Sequence, residues 1–272
     1  MRCNNHASSE LSEEHISMKP LTTFAVLFSM FISSADATSW EEGNFLHEDF
    51  NLPYQIYHPA GKGKLPLVIH LHGTGEAGTD NKAQLYKGKN IGPDYFSSPK
   101  IQAIQKAIVL APQTPVEIRW ASTSIEPYDY STTESTASMK ALLSLIDELI
   151  KKDKNIDLSR IYMTGLSRGG QGVWNAALQR PKLFAAIVPI AGSSSPEDAN
   201  RLIDLPIWAF HGDEDTTTSV DYTREMIDAL IRAGGTTKKI RYTEIPKGEH
   251  ADSWHTAFKD EQLYRWLLTH HR

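Results

Sequence analysis

The chain has 272 residues, of which 40% are hydrophobic and 22% charged, the composition of a globular protein long enough for one large α/β domain. Its 28 Lys and Arg against 33 Asp and Glu give a formal charge of -5. That leaves no basic surplus to neutralise phosphates, which argues against nucleic acid as a partner.

The first segment with a clear pattern is "MKPLTTFAVLFSMFISSADA", which begins at Met18. Lys19 supplies a positive end, Leu21 to Ile32 an apolar stretch, and Ala35-Asp36-Ala37 a small-x-small cleavage pattern. Spanning a bilayer needs about 20 apolar residues, so this stretch reads as a signal peptide and not as a stable membrane anchor. Residues 1–17, which carry Glu10, Glu13 and Glu14, do not fit the front of such a peptide and point to Met18 as the start. The expectation is a signal over residues 1–37, a catalytic domain over 38–272, and export to the periplasm or the medium. The one cysteine, Cys3, lies ahead of the expected cleavage point, so the mature chain would hold together without disulfides.

Beyond Thr38, apolar runs alternate with helical patterns, as strands joined by crossover helices do. The runs "LPYQIYH", "LPLVIHLHG", "AIVLAPQ", "RIYMTG", "FAAIVPIAG", "LPIWAFHG" and "KKIRYTEIP" predict strands, and several are apolar almost throughout, as in a parallel sheet buried on both faces. Helices are predicted over Ser138 to Lys152, Gln171 to Gln179, Val220 to Ala233 and Asp260 to His270. Together these give an α/β fold, one doubly wound, mostly parallel sheet from about residue 45 to the C-terminus, with helices on both faces.

Within "GLSRGG", Ser167 is the centre of a G-x-S-x-G motif that lies between a predicted strand and a predicted helix. A turn that tight strains the serine backbone and brings strand and helix together, so the residues two before and two after must be minimal. Gly165 and Gly169 meet that demand. The hydroxyl is then held at a helix N-terminus, where the dipole favours developing negative charge.

A serine nucleophile needs an acid and a histidine base later in the chain. The acid candidates are Asp213, Glu214 and Asp215, which follow "PIWAFHG" at a strand's C-terminal end, where open α/β sheets keep their sites. Asp215 is preferred, the other two reading as turn or cap residues. His250 and His255 follow the last strand; His250 is preferred because it sits nearer the strand end, while His255 follows Trp254 and reads as surface. His211 reads as a packing or loop-bracing histidine. For an oxyanion hole, backbone N–H groups of Arg168 and of Thr74, in "VIHLHGTGEAG", are the candidates.

These stretches carry a resemblance. The chain resembles the α/β-hydrolase superfamily, and within it the exported esterases often labelled predicted peptidases, near the phospholipase/carboxylesterase and polyhydroxyalkanoate-depolymerase-like groups. The matching stretches are "LPLVIHLHGTGEAGTDN", "IDLSRIYMTGLSRGGQGVWNAALQRPKLFAAIVPIAG", "LPIWAFHGDEDTTTSV" and "RYTEIPKGEHADSW". The family's H-G-x-x-D pattern puts the acid at Asp215, and the histidine ahead of the Ser253-Trp254 pair puts the base at His250. Arg168 stands where the family commonly has Met.

The resemblance implies a serine ester hydrolase that works through an acyl-enzyme and needs no cofactor or metal. The 11 histidines are scattered and not set at ligand spacing. In the polar, aromatic stretch "RWASTSIEPYDYSTTES", Trp120, Tyr128 and Tyr130 are candidates to line a substrate pocket, as is Trp254 beside the base. The absence of a long apolar lid points to short-chain or polysaccharide-linked esters, acetyl or feruloyl. The alternatives are a peptidase or thioesterase with the same triad, and a non-catalytic binding protein on the same fold.

Overall fold

The structure, a computed structural model, describes residues 39–86, 91–122 and 124–272. The expected signal segment and Cys3 lie outside the described residues. Eight strands form one sheet: β1 (Trp40–His47), β2 (Phe50–Tyr57), β3 (Leu65–Leu71), β4 (Ile108–Pro112), β5 (Ile156–Leu166), β6 (Ala186–Ile190), β7 (Ile207–Gly212) and β8 (Ile240–Ile245). Their order is β1-β2-β4-β3-β5-β6-β7-β8. From β4 to β8 every neighbouring pair is parallel, while β2 runs antiparallel to both β4 and β1. Around the sheet lie α1 (Ala83–Tyr86), α2 (Gly92–Ser97), α3 (Pro99–Ile104), α4 (Ala137–Lys152), α5 (Arg168–Gln179), α6 (Val220–Arg232), α7 (Asp252–Ala257) and α8 (Gln262–Leu268).

The strand period explains the two-sided core. Along β3, Leu67, Ile69 and Leu71 turn to one face and join Met139 and Leu142 of α4, Val173 and Trp174 of α5, and Met226 and Leu230 of α6. Val68 turns to the other face with Phe96 and Ile101 of α2 and α3, Trp254 of α7, and Leu263 and Leu267 of α8. A strand buried on both sides must be apolar at successive positions, and the five residues of β4 and of β6 are all buried. The longest helix among the described residues, α4, starts where Thr136 Oγ1 accepts the Met139 N–H at 3.1 Å and ends with Lys151 and Lys152 at the negative end of the helix dipole.

All seven expected strands are present. The sheet starts earlier than expected, because β1 pairs with β2 from Trp40 onward. The expected helix from Asp260 to His270 is the shorter α8, and a separate helix, α7, precedes it. Among the described residues no helix is long and apolar enough to cross a membrane. Because β5, β7 and β8 run parallel, the loops that follow them emerge at one edge of the sheet, and these loops carry Ser167, Asp215 and His250.

Candidate active site

Ser167 occupies the single residue between β5 and α5 with φ 55° and ψ -122°, a conformation that costs a non-glycine residue roughly 1–3 kcal/mol. The turn is fixed from outside: the Ser167 N–H donates to the Ile190 carbonyl at 2.8 Å, and its carbonyl accepts the Gln171 N–H at 3.1 Å. The flanking glycines leave no alternative. A Cβ on Gly165 would lie 2.6 Å from the Gly169 carbonyl oxygen, and one on Gly169 would collide with the Leu71 carbonyl. The serine side chain is half-buried and open to the solvent edge.

Two later loops bring their side chains to it. His250 Nε2 lies 2.9 Å from Ser167 Oγ, and His250 Nδ1 lies 2.6 Å from Asp215 Oδ2. The Asp215 side chain has no exposed surface. Its Oδ1 accepts the N–H groups of Thr217 at 2.8 Å and Thr218 at 2.9 Å, and its Oδ2 also faces His211 Nε2 at 3.1 Å. Burial opposes ionisation of this carboxyl, but hydrogen bonds from His211, His250 and the Thr218 N–H outweigh it and hold its pKa well below the usual carboxylate range. His211 is fully buried; its Nε2 faces two acceptors, Asp215 Oδ2 and the Thr218 carbonyl at 2.9 Å, so that nitrogen carries the proton. Its Nδ1 lies 2.7 Å from the Thr223 hydroxyl.

The acid and histidine loops meet backbone to backbone. The Glu214 N–H donates to the Gly248 carbonyl at 3.0 Å and the Gly212 N–H to Ser253 Oγ at 3.0 Å. A Cβ on Gly212 would collide with the Gly248 carbonyl, which gives the glycine of H-G-x-x-D its physical reason. His255 lies exposed on α7, its ring 6.2 Å from that of Trp254, and makes no contact with Ser167.

The loop after β3 closes on the elbow from the other side, and a Cβ on Gly73 would sit 2.7 Å from the Leu166 side chain. The Gly73 N–H is held by Glu76 Oε2 at 3.0 Å, and Thr74 opens a single 3₁₀ turn, Thr74–Glu76. His72 behind it is buried in neutral form: Nδ1 donates to the Gly73 carbonyl at 2.6 Å, and Nε2 accepts the Thr114 N–H at 3.1 Å. Burial, aided by the charges of Arg168 and His70, lowers its pKa to about 3 despite the Gly73 bond. As first residues of their helices, Thr74 and Arg168 have N–H groups with no intrahelical acceptor. The Arg168 side chain turns away and lodges among the carbonyls of Pro115 (2.7 Å), Val116 (3.2 Å) and Ile118. Its burial, with the charge of Arg119 beside it, lowers its pKa to about 10.

A family model described as phospholipase/carboxylesterase matches residues 55–260, well over half of the sequence. The chain belongs to that family. The α/β-hydrolase resemblance and the doubly wound fold expected from sequence are therefore both met. The crystal structure of a thermostable esterase superposes with a TM-score of 0.77 at 33% identity, over 86% of this chain and 63% of that one. NocK of Nocardia uniformis subsp. tsuyamanensis, which carries the name of an esterase, is 25% identical over 204 residues, 66% of this chain and 55% of NocK. A bifunctional acetylxylan esterase/xylanase of Neocallimastix patriciarum is 30% identical over 82 residues, 30% of this chain and 12% of its own length. The chain thus spans about half the length of NocK and less than two thirds of the thermostable esterase.

Of the aromatic residues expected to line a pocket, one lies in the core and three lie nearer the surface or the base. Trp120 is fully buried and its Nε1 donates to the His72 carbonyl at 3.3 Å, so it supports the β3 loop from within the core. The Tyr128 hydroxyl accepts Asn175 Nδ2 at 3.1 Å, and the Tyr130 ring packs on the core beneath Arg201, 5.1 Å from its centroid. Trp254 stands edge to face behind His250, with ring centroids 5.1 Å apart. The shallow depression that contains Ser167 is lined by Arg119, Ile125, Gln171, Ser193 and Thr218. Gln171 has a readable signal, since it lies four residues after Ser167 and so on the same helix face. Its Nε2 donates to Ser193 Oγ at 2.9 Å and to the Ser124 carbonyl at 3.0 Å, tying Ser124 to α5. Arg119 and Ile125 sit in irregular chain, where no periodicity marks a direction.

Proposed function

We propose that the protein is a serine carboxylic-ester hydrolase. The observation that carries this reading is the unbroken hydrogen-bonded line from Ser167 Oγ through His250 to Asp215. Ser167 Oγ attacks the ester carbonyl carbon as its proton passes to His250 Nε2. Asp215 keeps the His250 proton on Nδ1, which leaves Nε2 free to accept, and steadies the imidazolium that forms. The Thr74 and Arg168 N–H groups take the oxyanion, with the dipole of α5 in the same sense. Collapse expels the alcohol, protonated by His250, and leaves an acyl group on Ser167. Water, deprotonated by His250, then attacks that acyl group, and the acid departs as the proton returns to Ser167.

Short-chain or polysaccharide-linked esters, acetyl or feruloyl, fit this site best. A shallow depression supports that choice, as does the similarity to a protein named for acetylxylan ester hydrolysis. Hydrolysis of a chromogenic acetyl ester by the purified protein tests the reading, and absence of turnover by a folded sample would count against it. We also propose export, from the pattern between Met18 and Ala37. N-terminal sequencing of the exported fraction should find Thr38 at or near the start; an intact Met18 there would overturn this.

A further inference from the structure

We infer that Arg119 makes this site selective for esters that carry a carboxylate close to the scissile bond. The inference rests on the esterase reading of Ser167 and adds the class of substrate.

The observation is a guanidinium without a counter-ion. Arg160, Arg180, Arg224 and Arg265 pair with carboxylates; Arg201 bonds the Leu178 carbonyl, Arg241 lies over the Trp208 ring, Arg272 bonds the Lys182 carbonyl, Arg232 is exposed, and Arg168, whose Nε also lacks a partner, bonds three carbonyls with its other nitrogens. Arg119 makes no ion pair among the described residues. Its Nη2 reaches Gln171 Oε1 only at 3.5 Å, and its Nε is buried with no acceptor. A half-buried cation left this way is costly, and buried donors are nearly always satisfied, so an unmet one at a site calls for a ligand. The side chain lines the depression that contains Ser167.

The surroundings deepen the same field. The Arg168 guanidinium lies close enough to act on its charge environment, and the N-terminal end of α5 adds partial positive charge. The acidic groups nearby are Glu117, whose charge acts on Arg168, together with Asp215 and Glu126, and none of them pairs with Arg119. Asp215 is committed to four donors, and Glu126 on the facing loop accepts the Tyr222 hydroxyl. The site at Ser167 therefore sets a guanidinium that has no ion pair beside the positive end of α5. A planar guanidinium fork matches a carboxylate in two-point geometry, which favours that anion over a neutral acyl or alcohol group.

The carboxylate can belong to either half of the ester, and matched substrates separate the two. One pair is the 4-nitrophenyl hemiester of succinic acid against 4-nitrophenyl butyrate, with the charge on the acyl half. The other is 4-acetoxybenzoate against 4-acetoxybenzamide, with the charge on the alcohol half. In at least one pair the charged member should be preferred in kcat/KM by about tenfold or more, the scale of one charge-assisted contact. That ratio should collapse in Arg119→Met, persist in part in Arg119→Lys, and shrink in the parent protein as salt is raised. The rate at which a fluorophosphonate labels Ser167 checks that the variant site is still assembled, and the salt series stands if Arg119→Met fails to fold. Turnover of the neutral esters without a carboxylate preference, or a preference that survives Arg119→Met, overturns this inference alone. No turnover of any ester and no labelling of Ser167 overturns the esterase reading with it.

Discussion

Replacing Asp215 by Asn should separate stability from activity. The Asn oxygen can keep the Thr217 and Thr218 N–H bonds now made at 2.8 and 2.9 Å, which places its NH₂ where Oδ2 faces His250 Nδ1 and His211 Nε2. Two donors then meet a third. His211 can yield, because its Nε2 proton still has the Thr218 carbonyl at 2.9 Å. His250 has no second acceptor at Nδ1, so its cheapest response is to move its proton to Nε2 and accept the Asn NH₂ at Nδ1. The loss to stability is then about one charged hydrogen bond, roughly 1–3 kcal/mol. The loss to activity is far larger, because the nitrogen that must take the Ser167 proton already carries one, and kcat should fall by about 10⁴. Denaturant unfolding and kcat on a short-chain ester measure the two quantities on one preparation. A folded Asn variant that retains kcat within tenfold of the parent would refute the argument.

Ser167→Ala should lower kcat by roughly 10³-fold or more with the fold intact, and a phosphonate should label Ser167, not the buried Ser193, Ser194 or Ser195. His250→Ala should match that loss, while His255→Ala, altering an exposed ring on α7, should stay within about tenfold in kcat/KM. Gly169→Ala should destabilise by roughly 1–3 kcal/mol or more and cut activity with it, since the new methyl meets the Leu71 carbonyl; thermal unfolding reads the first effect. His72 is held neutral, with a folded pKa of about 3, so below its unfolded pKa of about 6.5 the unfolded chain binds the extra proton. Stability should therefore fall as pH drops from about 6 to 4, by about 1 kcal/mol per pH unit from this group, and His72→Gln should flatten that slope in denaturant titrations.

The parts of the molecule legible in sequence are those where a local rule and the final structure agree. Strands β3 to β7 could be read because burial on both faces forces continuous apolar runs. Strand β1 could not, because it is an edge strand with no buried residue, and its two-residue hairpin turn places Glu48 at φ 51° with none of the glycine that marks such turns. The break between α7 and α8 was equally hidden, since "DSWHTAFKDEQLYRWLL" carries no Gly or Pro to announce it. At the site, G-x-S-x-G could be read as geometry because two backbones crowd it. The choice between His250 and His255 turned on position in a loop, and the aromatic pocket residues were chosen by type alone, which says nothing about direction. Tryptophan between a polar loop and a sheet is more often core, as Trp120 is.

The places where local preference is overruled concentrate at one edge of the sheet. Ser167 sits in a strained conformation, Arg168 is a buried guanidinium with no carboxylate, and two histidines share one oxygen of Asp215. None of these is stable alone; each persists because what surrounds it is over-determined. The elbow joins the buried end of β5 to an α5 in which residues 168–178 are all buried, so relaxing Ser167 would require shifting the densest part of the core. The cost of the elbow is therefore met by packing remote from the hydroxyl, and the Ser167 side chain is held in place by the fold itself. The Arg119 guanidinium differs in kind. It forms no ion pair and its one side-chain hydrogen bond, to Gln171 Oε1, is long at 3.5 Å, so its partner is best sought in the substrate.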